Sequence, residues 1–219
     1  MKIQLTIKRP NPSTQRTLKP ARIVASHRPL RVLDLDLENR PLSYLGSDFT
    51  TSEVTALAWA WSDDPENVTC YLLGETDPID ILRAFVDAYD MADIVTGHFV
   101  KGHDLPILNA ALMEYGLPAL SDKRVCDTKL DLIPRKGLSM SQESLGAMFR
   151  LNHPKVTMNQ AKWREANRLT PEGRQLARER VCGDVRQHIE LRKKLMEHGY
   201  LRAPKVWSSA TARSEVYEP

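Results

Sequence analysis

The sequence predicts an α/β fold with a mixed sheet, and two observations lead to that prediction. Three early segments with strand patterns, at 30–37, 53–61 and 68–73, are separated by short polar turns, which is typical of an antiparallel meander. Further along the chain, short apolar strands at 93–97 and 124–126 alternate with helical patterns. A meander followed by βαβ units indicates a mixed sheet with helices on both faces.

The helical segments are bounded by residues that favour helix ends. The long last helix is predicted to begin after Thr170, with Pro171 in its first turn, and to end at Gly199. Asp77 and Pro78 begin the first helix in the same way. The predicted helices span residues 78–91, 105–115, 141–149, 159–166 and 171–198.

Length and composition fit one domain with arms at both ends. The chain has 219 residues, of which 42% are hydrophobic and 27% charged, enough for a sizeable core. We predict a basic arm over residues 1–29, a domain over 30–200 and a tail over 201–219. No acid precedes Asp34, and a short strand is predicted at 2–8. We expect the arm either to bind along the phosphates of a nucleic acid or to be a solvated leader.

The cysteines and the absence of long apolar runs predict a soluble cytoplasmic protein. Cys70, Cys126 and Cys182 are odd in number and widely spaced, which favours reduced thiols inside a cell. No eighteen apolar residues run together, and the start has no signal-peptide pattern, so no membrane partner is expected. The histidines and cysteines do not have zinc-site spacing.

An acidic face is predicted on the first strand. Asp34, Asp36 and Glu38 alternate with apolar residues in "LRVLDLDLE", so the acids share one face. The remaining residues are strongly apolar, which favours a central strand in which unneutralised carboxylates would be costly. A bound metal ion resolves this conflict; the alternative is an exposed acidic strand edge.

Two later acids are candidates for the same site. Asp184 borders the apolar stripe of the last helix, so it is expected to point toward the sheet. Asp104 precedes "LPILNAALMEYG", where it is expected to cap a helix, and this capping is compatible with a place beside the first strand. Gathered together, Asp36, Glu38, Asp104 and Asp184 would suit two divalent cations, Mg²⁺ or Mn²⁺, which prefer carboxylate oxygen.

Three segments resemble the motifs of the DEDD family of 3′→5′ exonucleases. "DLE" at 36–38 resembles the first motif, "DIVTGHFVKGHDLPIL" the second and "VCGDVRQHIEL" the third. The similarity covers about residues 31–194 in the family's order and spacing. The resemblance implies a ribonuclease H-like fold, a mixed five-stranded sheet flanked by helices, as in proofreading domains of DNA polymerases and their stand-alone relatives.

The resemblance also implies an activity and a role for each acid. Asp36 would bridge two Mg²⁺ or Mn²⁺ ions, Glu38 and Asp184 would complete the shell of the first, and Asp104 would reach the second largely through water. The implied reaction is phosphodiester hydrolysis at the 3′ end of single-stranded or frayed DNA, with RNA as an alternative, releasing nucleoside 5′-monophosphates. A polymerase or replication protein is the implied partner. Asp34 with Asp36 is a less favoured ligand pair.

The chain departs from the family pattern near two motifs. In the second motif, Phe99 and His103 stand where the family has Asn and Phe. In the third, Arg180 and Glu179 stand where the family has a water-orienting Tyr or His. His188 is the substitute we consider for orienting water or phosphate, and a packing role is its alternative. The expected substrate-binding residues are Asn39, Phe99, His103, Lys155 and Arg180.

Two alternatives to an exonuclease stay open, and the missing water-orienting residue favours the first. One is a catalytically weak or inactive nucleic-acid-binding module of the same fold. The other is an endonuclease or ribonuclease that uses the same carboxylates and needs no free 3′ end.

Overall fold

The computed structural model describes residues 28–42, 50–153 and 156–208. The strand predicted at 2–8 lies outside these residues. The strands are β1 Val32–Pro41, β2 Ser52–Trp61, β3 Asp64–Leu72, β4 Ile94–Gly97, β5 Lys123–Asp127 and β6 Lys205–Trp207. The helices are α1 Pro78–Met91, α2 Asp104–Glu114, α3 Thr128–Leu132, α4 Gln142–Phe149, α5 Gln160–Asn167 and α6 Pro171–Glu197.

The strands form one mixed sheet in the order β3-β2-β1-β4-β5-β6. The first three strands are antiparallel, β1, β4 and β5 are parallel, and β6 returns antiparallel to β5. The predicted α/β class is confirmed, and the arrangement is consistent with a ribonuclease H-like fold. The sheet has six strands instead of the expected five, because Lys205–Trp207 pairs with β5. A strand of three residues is too short for periodicity to reveal.

Strand β1 lies between β2 and β4 and has two different faces. Leu33, Leu35 and Leu37 are buried in a core that includes residues of α1 and α2. The intervening residues, which are the three predicted acids, therefore lie on the opposite face. The prediction of a central strand with one acidic face is confirmed.

Helix α6 covers the acidic face of the sheet beside a row of alanines. On β2, Ala56, Ala58 and Ala60 are the cross-strand neighbours of Glu38, Asp36 and Asp34. These alanines are buried in one cluster with residues of α6, namely Ala177, Val181, Val185 and Ile189. Because alanine side chains are short, the helix can approach the sheet closely enough for its side chains to reach the acids of β1.

The predicted helix starts at Asp77 and Thr170 are confirmed, the predicted cap of α2 is wrong, and two further helices have caps that were not predicted. The side chains of Asp77, Ser141, Asn159 and Thr170 each accept a hydrogen bond from a backbone N–H of the helix that follows. In α2 the N-cap position is His103, whose side chain makes no capping bond, and Asp104 lies in the first turn. The expectation that Asp104 caps α2 is therefore wrong, since its carboxylate is used elsewhere.

Candidate functional site

Three of the four predicted acids converge in the structure. One carboxylate oxygen each from Asp36, Glu38 and Asp184 lie within 4.8 Å of one another, and we call these residues the acidic cluster. Strand β1 contributes Asp36 and Glu38, whose side chains lie on the same face of the sheet. Helix α6 contributes Asp184, which is 1% exposed. Three carboxylates at this spacing are oxygen donors of the kind that Mg²⁺ and Mn²⁺ bind, so the donor set fits a divalent cation.

Arg180 contacts two members of the acidic cluster. Its Nε lies 3.2 Å from Glu38 Oε1 and 3.0 Å from Asp184 Oδ2. Its Nη1 donates to the Val156 carbonyl at 2.6 Å, and its guanidinium lies 6.0 Å from the centre of the Trp163 ring. Arg180 occupies the sequence position at which the resemblance would place a Tyr, but it contacts the carboxylates directly as a cation.

Asp104 lies beside β1 through a backbone contact. Its Oδ1 accepts a hydrogen bond at 3.1 Å from the N–H of Leu37, the residue between the two acids of β1. β4 pairs with β1 only as far as Asp34 and ends at Gly97, so the Leu37 N–H lies beyond the parallel ladder. The buried Asp104 carboxylate satisfies that N–H and is fixed next to the acidic cluster, although it is not counted in the 4.8 Å group.

The loop between β4 and α2 presents two of the predicted substrate residues. The His103 imidazole is 43% exposed, and its Nδ1 lies 3.7 Å from Asp104 Oδ2. The contact with the Asp104 carboxylate raises the pKa of His103. Phe99 has a positive φ of 76° and its ring lies against Gly102, where an added Cβ would approach the ring to 2.5 Å. The Lys129 ammonium lies 4.3 Å from the centre of the Phe99 ring.

Asp127 organises this loop, a role that the sequence did not reveal. Its buried carboxylate accepts from the backbone N–H groups of Phe99 at 3.1 Å and Lys101 at 2.9 Å. It also caps α3 by accepting from the Leu130 N–H at 3.0 Å. The available signal was an acid at the end of β5, directly before α3, which is a common position for an N-cap.

The structure brings His188 to Asp34, which lies outside the acidic cluster. His188 Nδ1 lies 3.2 Å from Asp34 Oδ1, and both residues are at most 1% exposed. Arg192 Nε donates to Asp34 Oδ1 at 2.8 Å, and Arg192 Nη2 donates to Asp34 Oδ2 at 3.1 Å. Ser62 also donates to Asp34. We call these four residues the buried ion-pair network. Its enclosure favours the packing role for His188 over contact with a substrate.

The network also determines the charge state of Asp34. Burial raises the pKa of Asp34, but the contacts with His188 and Arg192 outweigh burial and hold that pKa below its usual range. Asp34 is thereby paired inside the protein, which argues against the alternative Asp34/Asp36 ligand pair.

The remaining predicted substrate residues lie in different environments. Asn39 on β1 donates from Nδ2 to Ser52 Oγ at 2.6 Å, so its amide is engaged with β2. Lys155 lies outside the described residues. Among the helices that the structure describes, none has the length and apolar character needed to cross a bilayer.

Comparisons with known proteins give a fold match. Neither the protein-family models nor the curated proteins match the chain. Among solved structures, the chain is similar to the family B DNA polymerase from the hyperthermophilic archaeon Pyrobaculum calidifontis, with a TM-score of 0.62 and 20% identity. The match covers 77% of this chain and 25% of the polymerase chain, so this chain corresponds to about a quarter of that enzyme's length. At this identity the similarity establishes the fold.

Proposed function

We propose that this protein is a metal-dependent 3′→5′ exonuclease acting on single-stranded or frayed DNA ends. The observation that carries the proposal is the convergence of Asp36, Glu38 and Asp184, from a central strand and a late helix, within 4.8 Å. Asp184 is buried and Asp36 and Glu38 are half-buried, so carboxylates at this spacing repel one another, and a fold that gathers them favours a site that binds cations.

The fold neighbour supports a nucleic-acid substrate. A family B DNA polymerase resembles this chain over about a quarter of the polymerase's length. Together with the three motif resemblances, this match favours DNA over RNA as the substrate and a polymerase or replication protein as a partner.

In the proposed site each residue acts according to its position. Asp36, Glu38 and Asp184 would hold a divalent cation directly, and Asp104, whose Oδ1 is bonded to the Leu37 N–H, would contribute through water. When two such ions are bound, they stabilise the attacking and leaving oxygens of phosphodiester cleavage. Glu38 would also contact the 3′-OH of the terminal nucleotide.

We propose that the loop before α2 binds the terminal base. The Phe99 ring, held by Gly102 and by the Asp127 bonds to the loop backbone, offers an aromatic face near the second motif. His103 is exposed next to Asp104, and in its protonated form it would pair with a phosphate of the bound strand.

A second candidate is a non-catalytic nucleic-acid-binding module. The observation that favours it is the ion pairing of Arg180 with both Glu38 and Asp184, which places a cation of the protein's own on two of the three carboxylates. In that case the cluster would stabilise the fold and leave binding to the surrounding surface.

Nuclease assays separate these candidates. Linear and circular single-stranded DNA and RNA, labelled at the 5′ end when linear, are incubated with Mg²⁺, Mn²⁺ or chelator. Shortening of linear DNA from the 3′ end, abolished by chelator, is expected. Binding without any metal-dependent product would support the binding module, and cleaved circles would support an endonuclease.

Matched variants locate the activity. Asp36→Ala and Asp184→Ala are each expected to abolish hydrolysis while the circular dichroism spectrum stays native. Asp87→Ala removes an exposed carboxylate on α1, at the opposite face of the sheet, and is expected to leave the rate unchanged. Hydrolysis that persists in the Asp36 and Asp184 variants would contradict the site assignment.

A further inference from the structure

We propose that Arg180 is a tethered counter-ion that occupies the cation position of the acidic cluster and that a divalent metal must displace. This inference deepens the proposed function and rests on it, since it concerns how the same site is loaded. It assigns Arg180 a role in controlling metal binding, in place of the water-orienting role that a Tyr or His would have at this position.

The contacts of Arg180 are those of a bridging cation. A single nitrogen, Nε, approaches Glu38 on β1 at 3.2 Å and Asp184 on α6 at 3.0 Å. The two carboxylates therefore point toward one positive group from opposite elements. The arginine side chain is 12% exposed and that of Asp184 1%, so solvent screens these pairs less than a surface ion pair.

Arg180 also has contacts outside the cluster. Nη1 donates to the Val156 carbonyl at 2.6 Å, and the guanidinium lies 6.0 Å from the centre of the Trp163 ring. Because these contacts do not involve the carboxylates, the side chain can release the cluster and remain beside it. A guanidinium held there would face the phosphodiester that the site is proposed to cleave, and arginine binds phosphate through paired N–H groups.

From this geometry, Arg180 and a metal ion would compete for the same two carboxylates. A metal ion that binds Glu38 and Asp184 must replace the Nε contacts to the same two carboxylates. The loss of these two ion pairs subtracts from the metal's binding free energy, and a partly buried charge pair is worth enough to weaken metal binding about tenfold. Arg180 also offsets the repulsion between the carboxylates when no metal is present.

Manganese binding measured on the purified 219-residue chain tests this inference without reference to activity. Mn²⁺ titrations followed by electron paramagnetic resonance compare the wild type with Arg180→Met and Arg180→Lys. We expect Arg180→Met to bind Mn²⁺ about tenfold more tightly. Arg180→Lys is expected to fall between the two, because lysine keeps the charge but lacks Nε. An unchanged or weaker affinity in Arg180→Met would overturn the inference.

A second arginine of α6 provides the matched control. Arg178 pairs with Glu75 at the surface, and both side chains are more than a third exposed. Arg178→Met removes the same group from the same helix and is expected to leave the Mn²⁺ affinity unchanged. If Arg178→Met tightened Mn²⁺ binding as much as Arg180→Met, the effect would be one of overall charge and the inference would fail.

Further variants test whether the change in Mn²⁺ affinity arises at the acidic cluster. Adding Asp184→Asn to Arg180→Met is expected to abolish the gain in affinity, and persistence of the gain would contradict the site. If Arg180→Met does not give a native circular dichroism spectrum, Arg180→Gln and Arg180→Lys carry the test, with tighter Mn²⁺ binding still required of each.

Failure of the inference and failure of the proposed function give different results. Metal-dependent shortening of DNA by the wild type, with equal Mn²⁺ affinity in all arginine variants, overturns the inference and leaves the exonuclease proposal standing. Tighter Mn²⁺ binding by Arg180→Met, with no hydrolysis by any variant, upholds the inference and favours the binding module.

Discussion

The two ends of the contact between β1 and α6 hold acids in different ways. At one end, Asp34 is 0% exposed and is enclosed by Arg192, His188 and Ser62. At the other end, the Glu38 side chain is 15% exposed and meets Arg180. The same pairing of acid and arginine is closed in one place and accessible in the other. An acid that pairs with an arginine can therefore be structural or accessible to a ligand, and its exposed fraction decides which.

Helix and strand geometry explains why both ends are paired. Arg180, Asp184, His188 and Arg192 recur every fourth residue along α6, which is a rise of about 6 Å per step. The acids of β1 recur every second residue, or about 6.8 Å per step. Glu38 and Asp34 are two strand steps apart, about 13.6 Å, and Arg180 and Arg192 are three helix steps apart, about 18 Å, so the long arginine side chains cover the difference of about 4 Å. Glu38 meets Arg180 and Asp34 meets Arg192, so α6 runs antiparallel to β1.

The largest expected effect is a difference in the free energy of unfolding between Arg192→Met and Arg180→Met. Arg192→Met leaves the buried Asp34 carboxylate without its arginine and is expected to lower the free energy of unfolding by about 3–5 kcal/mol. Arg180→Met is expected to cost less, about 2 kcal/mol, because the Glu38 side chain is 15% exposed and keeps some contact with solvent. Urea unfolding in chelator measures both. Equal losses would show that the two ends do not differ in burial energetics. Asp34→Asn added to Arg192→Met should recover part of the loss.

A pH dependence is the second expected effect. The pKa of Asp34 is lower in the folded chain than in the unfolded chain, so its carboxylate stabilises the fold above about pH 4. That stabilisation is lost as the pH falls through the folded-state pKa. Asp34→Asn is expected to be less stable than the wild type by about 3 kcal/mol at pH 6. The difference should shrink toward pH 3 in urea unfolding, and a constant difference would contradict the assignment.

The smallest expected effect concerns Asp104. Asp104→Ala leaves the Leu37 N–H without its acceptor and is expected to cost about 1.5 kcal/mol of unfolding free energy. Asp104→Asn keeps an acceptor oxygen and should be nearly as stable as the wild type, while losing the charge that the proposed metal site needs. Thermal unfolding and the nuclease assay on the same samples measure both effects. A stable and fully active Asp104→Asn would remove Asp104 from the site.

Much of the fold and part of the site were predictable from local patterns. The alternation of leucines and acids in β1 predicted one acidic face, and the apolar stripe of α6 predicted that Asp184 points toward the sheet. Residues such as Thr170 and Pro171 located the start of α6. These features depend on neighbours within a few residues, and side-chain periodicity and capping are local properties.

Other features depended on contacts between distant residues. Asp127 holds the loop before α2, and Asp104 satisfies a backbone N–H of β1, although the sequence favoured a helix cap at Asp104. β6 was missed because its three residues form a strand only against β5. No local pattern shows which unsatisfied backbone group a side chain will reach.

The sequence by itself determined which residues share a face of each strand and helix, because that depends on repeats of two and of about four residues. Only the tertiary structure decided that His188 joins Asp34 and that Arg180 joins Glu38 and Asp184. These pairings depend on how α6 is placed along β1, and that placement is set by packing on the alanines of β2. The charge state and accessibility of each acid follow from the partners that this packing supplies.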